Sequence, residues 1–143
     1  MESAVPAPAS RTFSGRRLVL IVDDDPVMRT LCAISLHFEG LVVLEAPDGR
    51  TALAQARSEC PDLVLTDVKM PGLDGFELAE ALRDDVRTRQ VPLIFLSGET
   101  GTGNRARADE LGALAYVTKP FDPSTLASLV EIALSRPAVA AGR

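Results

Sequence analysis

Five short apolar runs punctuate the chain: Leu18–Val22, Leu41–Leu44, Leu63–Leu65, Leu93–Leu96 and Ala115–Val117. Each is unbroken rather than alternating, which is the pattern of a strand buried on both faces of a parallel sheet. Between them the period changes. Val27, Leu31, Ile34 and Phe38 fall at i, i+4, i+7 and i+11, and Leu126, Leu129, Val130 and Ala133 at i, i+3, i+4 and i+7. Both are helical spacings. Asp122-Pro123 before the latter set reads as an N-cap followed by proline at the first helical position. Asp48 and Asp74 would cap helices running to about Ser58 and Leu82. A more polar helix over Asn104–Leu111 would be ended by Gly112. The order is therefore (βα)5 in the α/β class, and right-handed crossovers then place helices on both faces of one doubly wound, five-stranded parallel sheet.

The ends lack this pattern. Residues 2–16 are rich in Ala, Pro and Ser without any period, and predict a disordered lead-in. Pro137 would end the last helix, leaving 136–143 as a C-terminal tail or linker remnant. The expected organisation is a disordered N-terminal tail over 1–16, one folded domain over 17–135, and the tail over 136–143. Charge follows the same division. The chain carries −5, but residues 18–135 hold 10 basic and 19 acidic residues, a net of −9. A domain that acidic would repel a phosphate backbone, which argues against direct nucleic-acid binding. No apolar run exceeds five residues, so no membrane span is expected. Cys32 and Cys60 are neither numerous nor CxxC-spaced, and read as reduced thiols of a cytoplasmic protein. His37 reads as a surface residue without a metal-ligand companion, and the Arg16–Arg17 pair as solvated.

In an open parallel α/β sheet, ligands bind beyond the carboxyl ends of the strands. The residues just after each run are therefore the informative ones. Asp23, Asp24 and Asp25 follow the first run; Thr66 and Asp67 the third; Ser97 the fourth; Thr118 and Lys119 the fifth. Several carboxylates within a few ångströms cannot all stay ionised without a counter-charge. A hard divalent cation such as Mg²⁺ would supply it. Lys119 would then serve an anionic ligand. Metal, lysine, hydroxyl and one remaining carboxylate are equipment for phosphoryl transfer to that carboxylate.

The segments LVLIVDDDPVMR, DLVLTDVKMPGLDGFEL, PLIFLSGET and AYVTKPF resemble the response-regulator receiver domain of two-component signalling, including its stand-alone chemotaxis form. The resemblance covers roughly 18–135 and implies a flavodoxin-like fold of strand order 2-1-3-4-5. It implies that Asp67 accepts the phosphoryl group from a histidine kinase or histidine phosphotransfer protein. Asp24, Asp67 and the Lys69 backbone carbonyl would ligate Mg²⁺, with Asp23 acting mainly through water. Ser97 and Lys119 would bind phosphoryl oxygens, and Tyr116 would be the aromatic switch. Met70-Pro71-Gly72 would shape the loop after Asp67, and the Lys119-Pro120 bond would be cis. Kinase recognition would use the first helix and the loops at the site. Output to a downstream protein target or a missing effector module would use the fourth helix, fifth strand and fifth helix. Lys69 and Glu99 sit two residues beyond Asp67 and Ser97, where an ion pair could cover the phosphoryl group and lengthen its lifetime.

Three other readings compete. Asp23-Asp24-Asp25-Pro-Val also resembles the first motif of haloacid-dehalogenase-type phosphohydrolases, with Asp23 as nucleophile. That family needs a downstream acidic pair, and only the isolated Asp122 and Glu131 follow Lys119. A flavodoxin-type cofactor binder would need Ser, Thr and Gly where this chain has three aspartates. A phosphorylation-independent interaction module would have no use for the full set of strand-end residues.

Overall fold

The computed structural model describes residues 12–13, 15–98 and 102–135. In chain order the elements are β1 (Thr12–Phe13), β2 (Arg16–Val22), α1 (Pro26–Phe38), β3 (Val42–Ala46), α2 (Gly49–Glu59), β4 (Leu63–Asp67), α3 (Gly75–Arg83), β5 (Leu93–Ser97), α4 (Thr102–Glu110), β6 (Ala115–Thr118) and α5 (Pro123–Leu134). The parallel strands run β3-β2-β4-β5-β6, which is the expected order 2-1-3-4-5 counted along the parallel set. The very short β1 lies antiparallel to the start of β2, pairing Thr12 with Arg17 and Phe13 with Arg16. Gly15, between these two strands, has φ 79°, a conformation that glycine adopts without steric cost. Residues 1–11 and 136–143 lie outside the described residues.

Alternation along buried strands sorts the core into two layers. Val19, Ile21, Leu63, Leu65, Ile94 and Leu96 face α1 and α5. Leu20, Val22, Val64, Leu93 and Phe95 face α2 and α3, with Ala108 of α4. Because both faces are covered, the strands show no polar alternation, which is why their runs are continuous. The helix starts follow the aspartates. Asp48 accepts from the Thr51 N–H, Asp74 forms a capping box with Glu77, and Asp122 accepts from the Ser124 N–H ahead of Pro123.

The apolar period of α1 marks the helix but not its buried side. Cys32, Ala33 and Leu36 fill the interface with the sheet. Val27, Leu31, Ile34 and Phe38 point outward, with Val27 66% and Phe38 84% exposed. On α5 the apolar stripe does face the core, through Leu126, Val130 and Ala133. Among the described residues no helix is long and apolar enough to cross a membrane.

Asp62 closes the end of the sheet opposite the strand carboxyl ends. Its Oδ2 accepts from the Leu18 N–H at 2.8 Å, and its own N–H donates to the Leu18 carbonyl at 2.8 Å. Oδ1 is buried without a hydrogen bond. Burial raises the Asp62 pKa, against the opposing pull of the Leu18 N–H and Arg17. The folded chain therefore holds this proton to higher pH than the unfolded chain. Its contribution to stability is complete below the ordinary carboxylate pKa and is lost as pH rises through the raised value. Asp62→Asn should remove that loss, so its urea stability relative to wild type should climb between about pH 4 and neutrality. A constant difference across that range would show that Asp62 titrates normally. Asp62→Ala should cost ~1–3 kcal/mol at acid pH, because it strands the buried Leu18 N–H, and that cost should shrink as pH rises.

Candidate functional site

At the carboxyl ends of β2, β4, β5 and β6 the sheet brings together Asp23, Asp24, Asp67, Ser97 and Lys119. Carboxylate oxygens of Asp23, Asp24 and Asp67 lie within 4.8 Å of one another. Asp23 and Ser97 are buried and Asp67 is 8% exposed, while Asp24 opens to solvent. The Lys119 ammonium spans two of the carboxylates, donating to Asp23 Oδ2 at 3.1 Å and to Asp67 Oδ2 at 3.2 Å. The Lys119 N–H also donates to the Ser97 carbonyl at 2.6 Å, which fixes the end of β6 against β5. The bond between Lys119 and Pro120 is cis.

Asp25 departs from the cluster. Its Oδ1 accepts from the Val27 and Met28 N–H groups at 3.0 and 3.4 Å, so it caps α1 rather than joining the other carboxylates. The Asp25 N–H in turn donates to Asp23 Oδ1 at 2.9 Å, which orients the buried carboxylate. Asp67 Oδ1 accepts from the Val68 N–H at 2.8 Å, leaving Oδ2 toward Lys119.

Burial raises the Asp67 pKa; Lys119 pulls it down, and the neighbouring Asp23 pushes it up again. Burial works against the Lys119 ammonium too, but its bonds and proximity to Asp23 and Asp67 outweigh this and raise its pKa. Lys119 therefore stays charged at neutral pH. Three carboxylates against one ammonium leave an uncompensated negative charge at the site. All the clustered ligand atoms are hard carboxylate oxygens, which suits Mg²⁺ and not a soft metal.

Two supports of the site left no readable sign in the sequence. Arg29 on α1 reaches back over the acidic loop, where Nη1 donates to the Asp23 carbonyl at 2.8 Å and Nε to Glu45 at 3.2 Å. Gly75 opens α3 directly against the phosphoacceptor candidate's strand, its N–H donating to the Val68 carbonyl at 2.8 Å. A Cβ on Gly75 would collide with the Asp67 carbonyl and sit 2.9 Å from Val68 Cα. Only glycine allows that approach.

Lys69 is exposed immediately beyond Asp67 and Val68. Its expected partner Glu99 lies outside the described residues. Tyr116 is half-buried on β6, packed against the core layer that contains Phe95. Cys32 lies beneath the site. Burial pushes its thiol up to about 11, Asp23 adds to the rise and Lys119 opposes it, which makes Cys32 inert as a nucleophile. Neither cysteine is in a disulfide.

Since Asp67 holds its proton to higher pH when folded, its stabilising contribution is lost as pH rises through the raised pKa. In the presence of a chelator at neutral pH, Asp67→Asn should therefore be more stable than wild type, on the order of 1 kcal/mol. Adding Mg²⁺ should narrow or reverse the gap, because only the wild type keeps the full carboxylate set. Denaturant titration with and without the ion checks both signs.

The Response regulator receiver domain family profile matches residues 19–131. The response regulator PleD of Caulobacter vibrioides is 41% identical over 104 residues, covering 73% of this chain and 23% of PleD. The phosphate regulon transcriptional regulatory protein PhoB of Pseudomonas aeruginosa is 37% identical over 120 residues, 84% of this chain and 52% of PhoB. The chain thus spans about a quarter to a half of the length of these curated relatives. Among solved structures, chemotaxis protein CheY4 of Vibrio cholerae superposes with a TM-score of 0.79 at 33% identity, covering 83% of this chain and 99% of CheY4.

Proposed function

We propose that this chain, which belongs to the response regulator receiver domain family, takes a phosphoryl group from a phosphohistidine donor onto Asp67. The family is one of two-component signalling and not of metabolic enzymes. The observation that carries the proposal is the Lys119 ammonium held between Asp23 and Asp67 at the carboxyl edge of the sheet. An incoming phosphoryl group needs an attacking carboxylate and a cation for its oxygens, and both are in place before it arrives.

In the proposed reaction Asp67 Oδ2 attacks phosphorus, the phosphorus–nitrogen bond of the donor breaks, and the imidazole leaves. Lys119 holds one phosphoryl oxygen and the Ser97 hydroxyl another. Asp23, Asp24, Asp67 and the Lys69 carbonyl would hold Mg²⁺, which when bound neutralises charge between the carboxylates and the transferring group. Hydrolysis of the resulting acyl phosphate ends the signal, with Lys69 at the rim of the site. The change at Ser97 passes to Tyr116 and to the face built from α4, β6 and α5. That face serves a downstream protein or an effector module, in keeping with the greater length of relatives such as PhoB. The free thiols of Cys32 and Cys60 accord with a cytoplasmic setting.

The exposed stripe on α1 supplies the docking surface for the donor. Val27, Leu31, Ile34 and Phe38 present apolar side chains over about three turns, beginning one residue into the helix that the acidic loop starts. A continuous apolar helix face of that length suits a helical partner laid along it.

With acetyl phosphate and Mg²⁺, wild type should gain one phosphoryl group and Asp67→Asn none, by intact mass. Equal labelling of the variant would overturn the assignment, and a label on Asp23 would instead favour hydrolase-type chemistry. Ile34→Glu should accept phosphate from acetyl phosphate at the wild-type rate but at least about tenfold more slowly from a cognate kinase, a loss of ~1.4 kcal/mol in donor recognition. Equal slowing with both donors would place the defect in the site rather than on the docking face.

A further inference from the structure

We infer that Arg105 is a positioning residue for Tyr116, holding the ring in its resting place so that α4 and β6 change state together. This rests on the reading of Tyr116 as the residue that responds to phosphorylation.

The Arg105 guanidinium carbon lies 5.0 Å from the centroid of the Tyr116 ring. That is within cation–π range, and the planar guanidinium suits stacking better than an ammonium does. The strands explain why this ring matters. Phe95 pairs with Tyr116 and Ser97 with Thr118 in the β5–β6 register. Partners across a parallel ladder point to the same side, and residues two apart along a strand share a face. Ser97 and Tyr116 are therefore one pleat apart on neighbouring strands and on one face of the sheet. Phe95 and Tyr116 both belong to the core layer that faces α2, α3 and α4. Arg105 reaches that ring from α4 itself.

The rest of α4 is held loosely by apolar contacts. Its sequence TGNRARADE is polar, and Ala108 is its one buried side chain among those described. Among the described residues, its side-chain ties to other elements include guanidinium contacts. Arg107 pairs with Glu80 on α3, and Arg83 Nε donates to the Leu111 carbonyl just past the helix at 3.0 Å. Those two fasten α4 to α3. Arg105 ties α4 to the Tyr116 ring on β6, so movement of the ring away from α4 must break this contact. An exposed cation–π contact biases such an equilibrium by about two- to fivefold.

The chain has one tyrosine and no tryptophan, so tyrosine ring signals belong to Tyr116 alone. Arg105 is exposed, so its replacement does not open the core. The full chain would be compared by NMR as wild type, Arg105→Met and Arg105→Lys, each before and after acetyl phosphate with Mg²⁺. In the unphosphorylated Arg105→Met protein the Tyr116 ring resonance should move toward its position in phosphorylated wild type. Labelling by acetyl phosphate should also become about two- to fivefold faster, since the responsive state is populated in advance. Arg105→Lys should recover part of both effects. If wild-type Tyr116 moves on phosphorylation but Arg105→Met matches wild type in resonance and rate, Arg105 does not position the ring and the switch reading stands. If the wild-type ring does not move on phosphorylation, the switch reading fails and the role of Arg105 falls with it.

Discussion

One ammonium shared by two buried carboxylates organises this molecule. Lys119 comes from the end of β6, Asp67 from β4 and Asp23 from the loop after β2, and no two of these strands are adjacent except β2 and β4. Burying two like charges is costly, and the cost is tolerable only where a cation is delivered to the same point. The sheet order makes that delivery possible by bringing three strand ends to one edge. The Ser97 carbonyl then locks Lys119 from the intervening strand β5. Chemistry and architecture meet in this contact, because moving Lys119 would disturb the end of the sheet as well as the charge balance.

The strand ends were legible in the sequence for a physical reason. Strands covered on both faces lose most of their polar positions, so polar residues mark where each strand stops, and Asp23, Asp67 (behind Thr66) and Ser97 stand at those stops. The aspartates that start α2, α3 and α5 were legible too, because capping is local. Asp25 shows the limit of that logic. An aspartate at a strand–helix junction can ligate or cap, and composition does not distinguish the two. The buried side of α1 was not legible, because the inward positions carry small or unremarkable residues, Cys32 and Ala33 beside Leu36, while larger apolar side chains point away. Periodicity identifies a helix but not which neighbour it has. Arg29, Arg83 and Arg105 were invisible for another reason. Each acts through a long side chain on a distant backbone carbonyl or ring, and such contacts leave no spacing along the chain.

Glycine sets how closely the layers approach at the site. Gly75 lets the first turn of α3 touch the backbone of Asp67 and Val68, and a Cβ on Gly49 at the start of α2 would come within 3.0 Å of Leu73 Cβ. The starts of two helices are thereby drawn in beside the acidic cluster. The loop carrying Val68, Lys69 and Met70 is confined between β4 and α3, where the Gly75 N–H holds the Val68 carbonyl.

The thin apolar anchoring of α4 has a consequence for how stability is distributed. Local opening costs least where few buried side chains must be exposed, and α4 would expose little beyond Ala108. Its amides should therefore belong to a low-energy unfolding unit, separate from the sheet and from α1 and α5, whose release requires the main core to open. The helix proposed above to carry the state of the site outward is thus one that the fold can release while the sheet stays intact.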